Sequence, residues 1–278
     1  MKFIRILIFL TSITIVYCQN TADEFYESGL SYQNSKNYKE AIQNFHKALE
    51  LFAGSDGEQY ANTCWYLQLC YYQIGNYKKA IEIIKLWIES GNTSFYFGNA
   101  YFNLGTIYEN QMEYLLGIEA YTKVLCFINE DWNAIKNSEN TRINSFRGIW
   151  NCSKNLGKEY AIINNKKLSC YSYYVKLTHD YWQYEQGSNL DCIYSWSTTV
   201  QNRSPITISH IEVELTIKDK KENIVYKKSH WIEINLNPDE VIQTGYFDLV
   251  NKVCLPKKYV EGGDLLYDSV VKSFAYKW

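Results

Sequence analysis

The 278-residue chain has 4 histidines, His46, His179, His210 and His230, and their spacing is not that of a metal centre or a nucleophilic triad. Such sites need a His beside a carboxylate or a second ligand on one face. Only His179 has an adjacent acid, Asp180, and neighbours in an alternating segment point to opposite faces. His46 reads as a surface residue of a helix, and His210 and His230 as partly buried, hydrogen-bonded strand residues. The nucleophile elbow, the zinc-protease H-E-x-x-H and the glycine-rich phosphate and dinucleotide loops are all missing. Ser269-Val270-Val271-Lys272 matches S-x-x-K, but in the register of a strand, whereas the functional form puts Ser at a helix start. Asn92-Thr93-Ser94, Asn151-Cys152-Ser153 and Asn202-Arg203-Ser204 are formal glycosylation sequons, with meaning only in a eukaryotic host. No catalytic residue, cofactor or metal is expected.

The remaining reactive groups are thiols. Of the 8 cysteines, Cys18 closes an N-terminal stretch in which Lys2 and Arg5 precede an apolar run from Ile6 to Tyr17. A charged start followed by an apolar segment too short to span a bilayer comfortably is a secretory signal, expected here over residues 1–18 with cleavage before Gln19. Val16 and Cys18 suit the two small-residue sites before that cleavage. The rival is a lipoprotein signal with Cys18 acylated, which would anchor an otherwise soluble exported protein, although Tyr17 is large where a small residue is usual. The expected location is therefore periplasmic or secreted, with the membrane reached only through Cys18. Cleavage removes Cys18 and leaves an odd number of cysteines, which in an oxidising compartment implies a free thiol or an intermolecular bridge. Cys152 with Cys170, and Cys192 with Cys254, are the pairs to test, with buried apolar thiols as the other reading.

With so little chemistry, the elements that present surface matter more. Ala22 to Leu51 alternates small residues Gly29, Ala41 and Ala48 with large ones Phe25, Tyr32, Tyr38 and Phe45, at intervals that make two amphipathic helices and a tight turn. Such a unit cannot bury its apolar face alone, so it predicts copies downstream. Lys plus Arg number 28 against 30 acids, a formal charge of −2, which argues against nucleic acid as the main partner. Aromatic content is 17%, with 26 Tyr and 8 Trp, more than a repeat core alone requires and suited to contact surfaces.

The pattern resembles the tetratricopeptide repeat (TPR), a helix pair of 34 residues. Counting from Ala22, the residues Gly29, Tyr32, Tyr38, Ala41, Phe45 and Ala48 fall on the family's positions, with Ser28 and Ala53 departing. A second copy starts at Ala61 with Leu67, Tyr71, Gly75, Tyr77, Ala80 and Ile84 in register, where Gln68 replaces the eighth-position Gly and Trp87 a small residue. A third starts at Gly98 with Tyr101, Leu104, Gly105, Tyr108, Tyr114, Gly117 and Tyr121. Repeats are expected at about 22–55, 61–94 and 98–131, with a degenerate capping helix pair over 132–168, in which Leu156-Gly157-Lys158-Glu159-Tyr160-Ala161 echoes the repeat turn. The resemblance implies a non-catalytic helical solenoid whose concave groove binds a protein or peptide. Its groove positions correspond here to Asp23, Tyr26, Leu30, Gln33 and Asn34; to Asn62, Trp65, Leu69, Tyr72 and Gln73; and to Asn99, Phe102, Thr106, Glu109 and Asn110. Aromatics flanked by amides suit an extended or helical peptide. Trp65 and Phe102 packing on neighbouring elements is the competing reading. The Lys and Asn set with which chaperone-binding members clamp a terminal carboxylate is missing.

From about Tyr171 the period becomes alternating, over Ile193–Val200, Ile206–Ile217, Ile224–Ile234, Val241–Val250 and Val270–Trp278. This predicts an antiparallel β-sandwich over 171–278. Val200-Gln201-Asn202-Arg203-Ser204 and Leu236-Asn237-Pro238-Asp239-Glu240 are similar to the V-x-N-x-S and L-x-P-G-E runs of immunoglobulin-like modules in exported bacterial proteins, with Asp239 in place of Gly. Phe274, Tyr276 and Trp278 alternate as outer-membrane barrel ends do, but the stretch is short for the strands a barrel needs. The whole is an α solenoid followed by an all-β module, read as an exported scaffold. The alternative makes the β module a carbohydrate or cell-surface binder through Trp182, Trp196 or Trp231, with the repeats as spacer.

Overall fold

The computed structural model describes residues 21–52, 58–90, 97–125, 138–164, 174–186, 190–219, 221–244, 247–256 and 265–278. The expected signal over 1–18 and the loops 54–57 and 91–94 lie outside the described residues. Helix α1 covers residues 21–34 and is followed by α2 (Tyr38–Phe52), α3 (Glu58–Gln73), α4 (Tyr77–Glu89), α5 (Phe97–Asn110), α6 (Tyr114–Val124) and α7 (Ser138–Asn155). The strands are β1 (Ala161–Asn164), β2 (Val175–Gln186), β3 (Leu190–Asn202), β4 (Ile208–Asp219), β5 (Ile224–Leu236), β6 (Val241–Gln243), β7 (Phe247–Pro256) and β8 (Leu265–Tyr276). Helices α1–α6 form one compact unit, and α7 with the strands forms another.

The helical unit is built of three pairs, α1/α2, α3/α4 and α5/α6. Each pair turns through one left-handed residue at the same place in the pattern: Lys36 (φ 60°), Gly75 (φ 75°) and Met112 (φ 62°). That residue and its successor donate backspanning hydrogen bonds, Lys36 N to Gln33 O (2.9 Å) and Asn37 N to Tyr32 O (2.9 Å), a geometry repeated at Gly75-Asn76 and Met112-Glu113. Asn76 then caps α4, its side chain accepting from Lys79 N at 3.2 Å.

Within a pair, the eighth position of the first helix meets a large residue of the second. A methyl group added to Gly29 would lie 2.6 Å from the Phe45 ring, and one on Gly105 would lie 2.7 Å from the Tyr121 ring. In the middle pair both partners change together: Gln68 stands where the glycine was and the smaller Ile84 where the ring was, so volume is exchanged rather than lost. The core runs continuously through the three pairs, from Ala41 and Phe45 through Ala61, Cys64, Leu67, Ile84 and Trp87 to Ala100, Leu104, Ile107 and Ala120. Because α3 packs on both α2 and α4, it buries residues around most of its circumference, Cys64 and Cys70 included.

The second unit corrects the expected capping pair over 132–168. Its helix α7 ends in the repeat-like turn, with Gly157 at φ 71° and Lys158 N bonded to Ser153 O at 3.0 Å. The next element is a strand, not a second helix. A turn of this kind terminates a helix whatever comes after it, and the β-branched Ile162-Ile163 continues as β1, paired antiparallel with β8 from Ala161↔Tyr276 to Asn164↔Ser273. Helix α7 is held by aromatic packing: Phe146 meets Tyr174, Phe274 and Tyr276 at centroid distances of 5.6, 6.4 and 5.4 Å. The buried Tyr276 hydroxyl donates to Phe146 O at 2.7 Å. Phe274 and Tyr276 thus belong to this core.

The strands form antiparallel sheets, one in the order β1-β8-β4-β5 and the other β2-β3-β6 with β7 also on β3. Strand β4 alternates as its sequence promised, burying Ile211, Val213, Leu215 and Ile217. The expected single strand over Val241–Val250 is instead two, β6 and β7. Asn202 joins the two sequence runs noted above. Its Nδ2 donates to Ile206 O (2.8 Å) and Leu236 O (2.9 Å), while its Oδ1 accepts from Ser204 N (2.8 Å) and Ser204 Oγ (2.6 Å). Its backbone bonds to Glu240 O and Asp239 N close the same turn. Asp239 has φ 61°, so it replaces the usual glycine in residue type while keeping the left-handed backbone that short polar side chains tolerate.

Candidate functional site

Residues at the expected groove positions lie on the first helix of each pair, and every one of them is half-buried or exposed. Their freedom differs. The fifth-position aromatics are tied to the second helix of their own pair: Tyr26 to Phe45 (6.1 Å), Trp65 to Trp87 (6.2 Å) and Phe102 to Tyr121 (5.7 Å). Tyr26 also meets Tyr66 of the next pair at 6.1 Å. These rings support the core while showing one edge. Asn34, Gln73 and Asn110, at the ends of α1, α3 and α5, are exposed, and Asp23, Leu30, Gln33, Asn62 and Asn99 are half-buried.

The structure brings a subset together between α3 and α5. Asn110 Nδ2 donates to Tyr72 Oη at 2.6 Å, linking the two helices. Tyr121 Oη donates to Glu109 Oε2 at 2.8 Å and lies 3.2 Å from Thr106 Oγ1, which itself donates to Phe102 O at 3.1 Å. Beside this network is a cavity of about 120 Å³ lined by Gln68, Leu69, Tyr72, Asn103, Thr106 and Ile107. Leu69, Tyr72 and Thr106 were expected in the groove, whereas Gln68, Asn103 and Ile107 were not. The sequence signal for Gln68 was its departure from the eighth-position glycine, which reads as packing until the space beside it is known. Neither α3 nor α5 contains Lys, Arg or His, and Glu109 adds a negative group.

Outside this face, His46, Cys64, Cys70 and Trp196 are structural. His46 is half-buried, with Nε2 2.8 Å from Tyr71 Oη; desolvation lowers its pKa, opposed by Glu50 and aided by Lys79. The expected surface histidine is therefore a link between α2 and α3. Burial pushes the Cys64 thiol up to about 12 and the Cys70 thiol to about 11, so both stay protonated. Cys192 and Cys254 are α-carbon partners in the β3–β7 ladder, the pair singled out from sequence, while Cys170 lies outside the described residues. Trp196 is fully buried and offers nothing to a ligand, whereas Trp231 is 48% exposed on β5. For His179, Asp180 and Trp182 only the backbone, on β2, is described. Among the described residues, no group of His, Cys, Asp and Glu forms a metal site, and no helix is long and apolar enough to cross a membrane.

The tetratricopeptide repeat family model matches residues 22–85. The match takes in the first helix pair and most of the second. The third pair, beyond the matched residues, keeps the same glycine–ring contact and left-handed turn. Solved structures similar to the repeat region include BtubC from P. vanneervenii (16% identity over 49% of this chain and 56% of that one, TM-score 0.42). Others are the Arabidopsis OM64 TPR domain (13% identity, 48% and 99% coverage, TM-score 0.37) and a Podosopora anserina putative kinesin light chain with TPR-like repeats (13% identity, 51% and 69% coverage, TM-score 0.42). At such scores these likenesses carry no argument about function. No curated protein matches the chain.

Proposed function

We propose that this protein is an exported, non-catalytic scaffold that holds an extended segment of a partner protein along the first helices of its repeats. The observation that carries this reading is the join between α3 and α5, where Leu69, Tyr72 and Thr106 border one cavity and Asn110 bonds across to Tyr72. Half-exposed aromatics with fixed rings offer contact area at low entropic cost, and the amides beside them supply hydrogen bonds to a peptide backbone. Export rests on the Met1–Asn20 pattern, with acylation of Cys18 as its anchored form. The β module is proposed as an immunoglobulin-like sandwich, a reading supported by the Asn202 links between its two sequence runs.

Alanine at Tyr26, Trp65 and Phe102 would also weaken the core, so the better test leaves those rings alone. Random peptides displayed on phage and selected on the intact protein should lose at least tenfold in binding to an Asn34→Lys, Leu69→Lys, Gln73→Lys variant with unchanged helicity. Equal binding would remove the groove. Loss on Trp231→Ala instead, or binding of glycans abolished by that change, would transfer recognition to the β module and leave the repeats as spacer.

A further inference from the structure

The cavity between α3 and α5 has a chemistry of its own. Gln68 is only 1% exposed, and its Nε2 has no hydrogen-bond partner among the described residues; the buried Asn103 Nδ2 has none either. An amide nitrogen is a donor only, so both groups ask for an acceptor. Leaving such a group unpaired in a buried site costs about 1–3 kcal/mol, so the site favours whatever brings oxygen to it. An anion is a poor answer, because α3 and α5 carry no cation to pair with it and Glu109 lies one turn from Thr106. The walls include the apolar Leu69 and Ile107, and 120 Å³ exceeds the roughly 30 Å³ share of one liquid water, leaving room for a short side chain.

Resting on the groove reading above, we infer that this cavity is a selectivity pocket for a neutral carboxamide, the Gln or Asn side chain of the bound segment. Its carbonyl oxygen accepts from Gln68 Nε2 and Asn103 Nδ2. Its NH₂ donates to Tyr72 Oη or Thr106 Oγ1, both of lining residues and already bonded to Asn110 and Tyr121. A Glu or Asp side chain of the same shape is excluded by its charge, and Leu by the missing oxygen, because a site built to hydrogen-bond rejects analogues that leave its polar groups unpaired.

The test uses the full chain and small probes. In spectra of the side-chain amides, propionamide should shift the Gln68 and Asn103 NH₂ signals saturably. Propionate should bind at least tenfold more weakly, and a Gln68→Leu, Asn103→Leu variant should lose the propionamide response. The same variant should be as resistant to urea as the parent, since replacing an unpaired buried amide by an apolar isostere removes no interaction. An absent propionamide response, an equal response to propionate, or a variant that is destabilised yet still binds propionamide would overturn the pocket. Phage-selected peptides that lose binding on the lysine variant but show no excess of Gln or Asn would overturn the pocket and leave the groove. A propionamide response without any selected peptide would remove the groove alone.

Discussion

At the scale of single residues, the polar groups that looked most available are the ones most thoroughly used. His46 exchanges water for the Tyr71 hydroxyl, and burial holds its pKa below the ordinary 6.5. A folded-state pKa below the unfolded one means that the unfolded chain binds the extra proton first. Stability from the neutral ring is therefore complete above about pH 6.5 and is lost as pH falls below it toward the depressed value. His230, lowered by burial and by Lys228, acts in the same direction. The urea midpoint of the parent should fall between about pH 7.5 and pH 5, and His46→Phe, which keeps a ring against Tyr71, should fall less. An identical drop in both would remove His46 as a source of acid sensitivity. The same accounting explains why groove candidates read from sequence separate into two kinds: Trp65 faces Trp87 and is half core, whereas Asn34 and Gln73 face solvent. Sequence position assigns a helix face but not how far a neighbouring ring reaches across it.

At the scale of elements, the turns between paired helices share one backbone and only one of them has the residue best suited to it. Lys36 and Met112 hold a left-handed conformation that disfavours a side chain by about 1–2 kcal/mol, partly offset by the greater freedom that glycine has when unfolded. Lys36→Gly should raise stability by about 0.5–1 kcal/mol, and Gly75→Ala should lower it by about 1 kcal/mol. A methyl group on Gly75 would meet nothing within 4 Å, so that loss comes from the backbone alone. Urea midpoints of the two variants, moving in opposite directions, check the pair. The turn also shows where pattern reading failed. Leu156-Gly157-Lys158 does repeat the bend of the three helix pairs, but a bend encodes an ending, and the register of Ile162-Ile163 against β8 decides the next element. That pairing partner is more than a hundred residues away, beyond any local window.

At the scale of the whole molecule, the helix pairs were legible because their contacts are local and periodic: a small eighth residue predicts a large one on the next helix. The sheets were legible as antiparallel strands from their alternation, yet not in their order, because β8, last in the chain, lies between β1 and β4. The same topology moves the unit boundary. A fragment of residues 21–168 keeps α7 and β1 but lacks Tyr174, Phe274, Tyr276 and the partner strand, so Phe146 loses its cover. It should bind a hydrophobic dye and aggregate, whereas residues 21–125 alone should show a cooperative urea transition. The opposite result would return α7 to the helical array. One last consequence belongs to biosynthesis. Asn202 heads an N-x-S sequon, yet both of its amide hydrogens are committed, one to a carbonyl 34 residues further along the chain. A secretory pathway that transfers sugar to a nascent chain would reach Asn202 before Leu236 could claim it, and the sugar would occupy the nitrogen on which the turn closes. A sugar there would leave that nitrogen a single hydrogen for the two carbonyls it now serves.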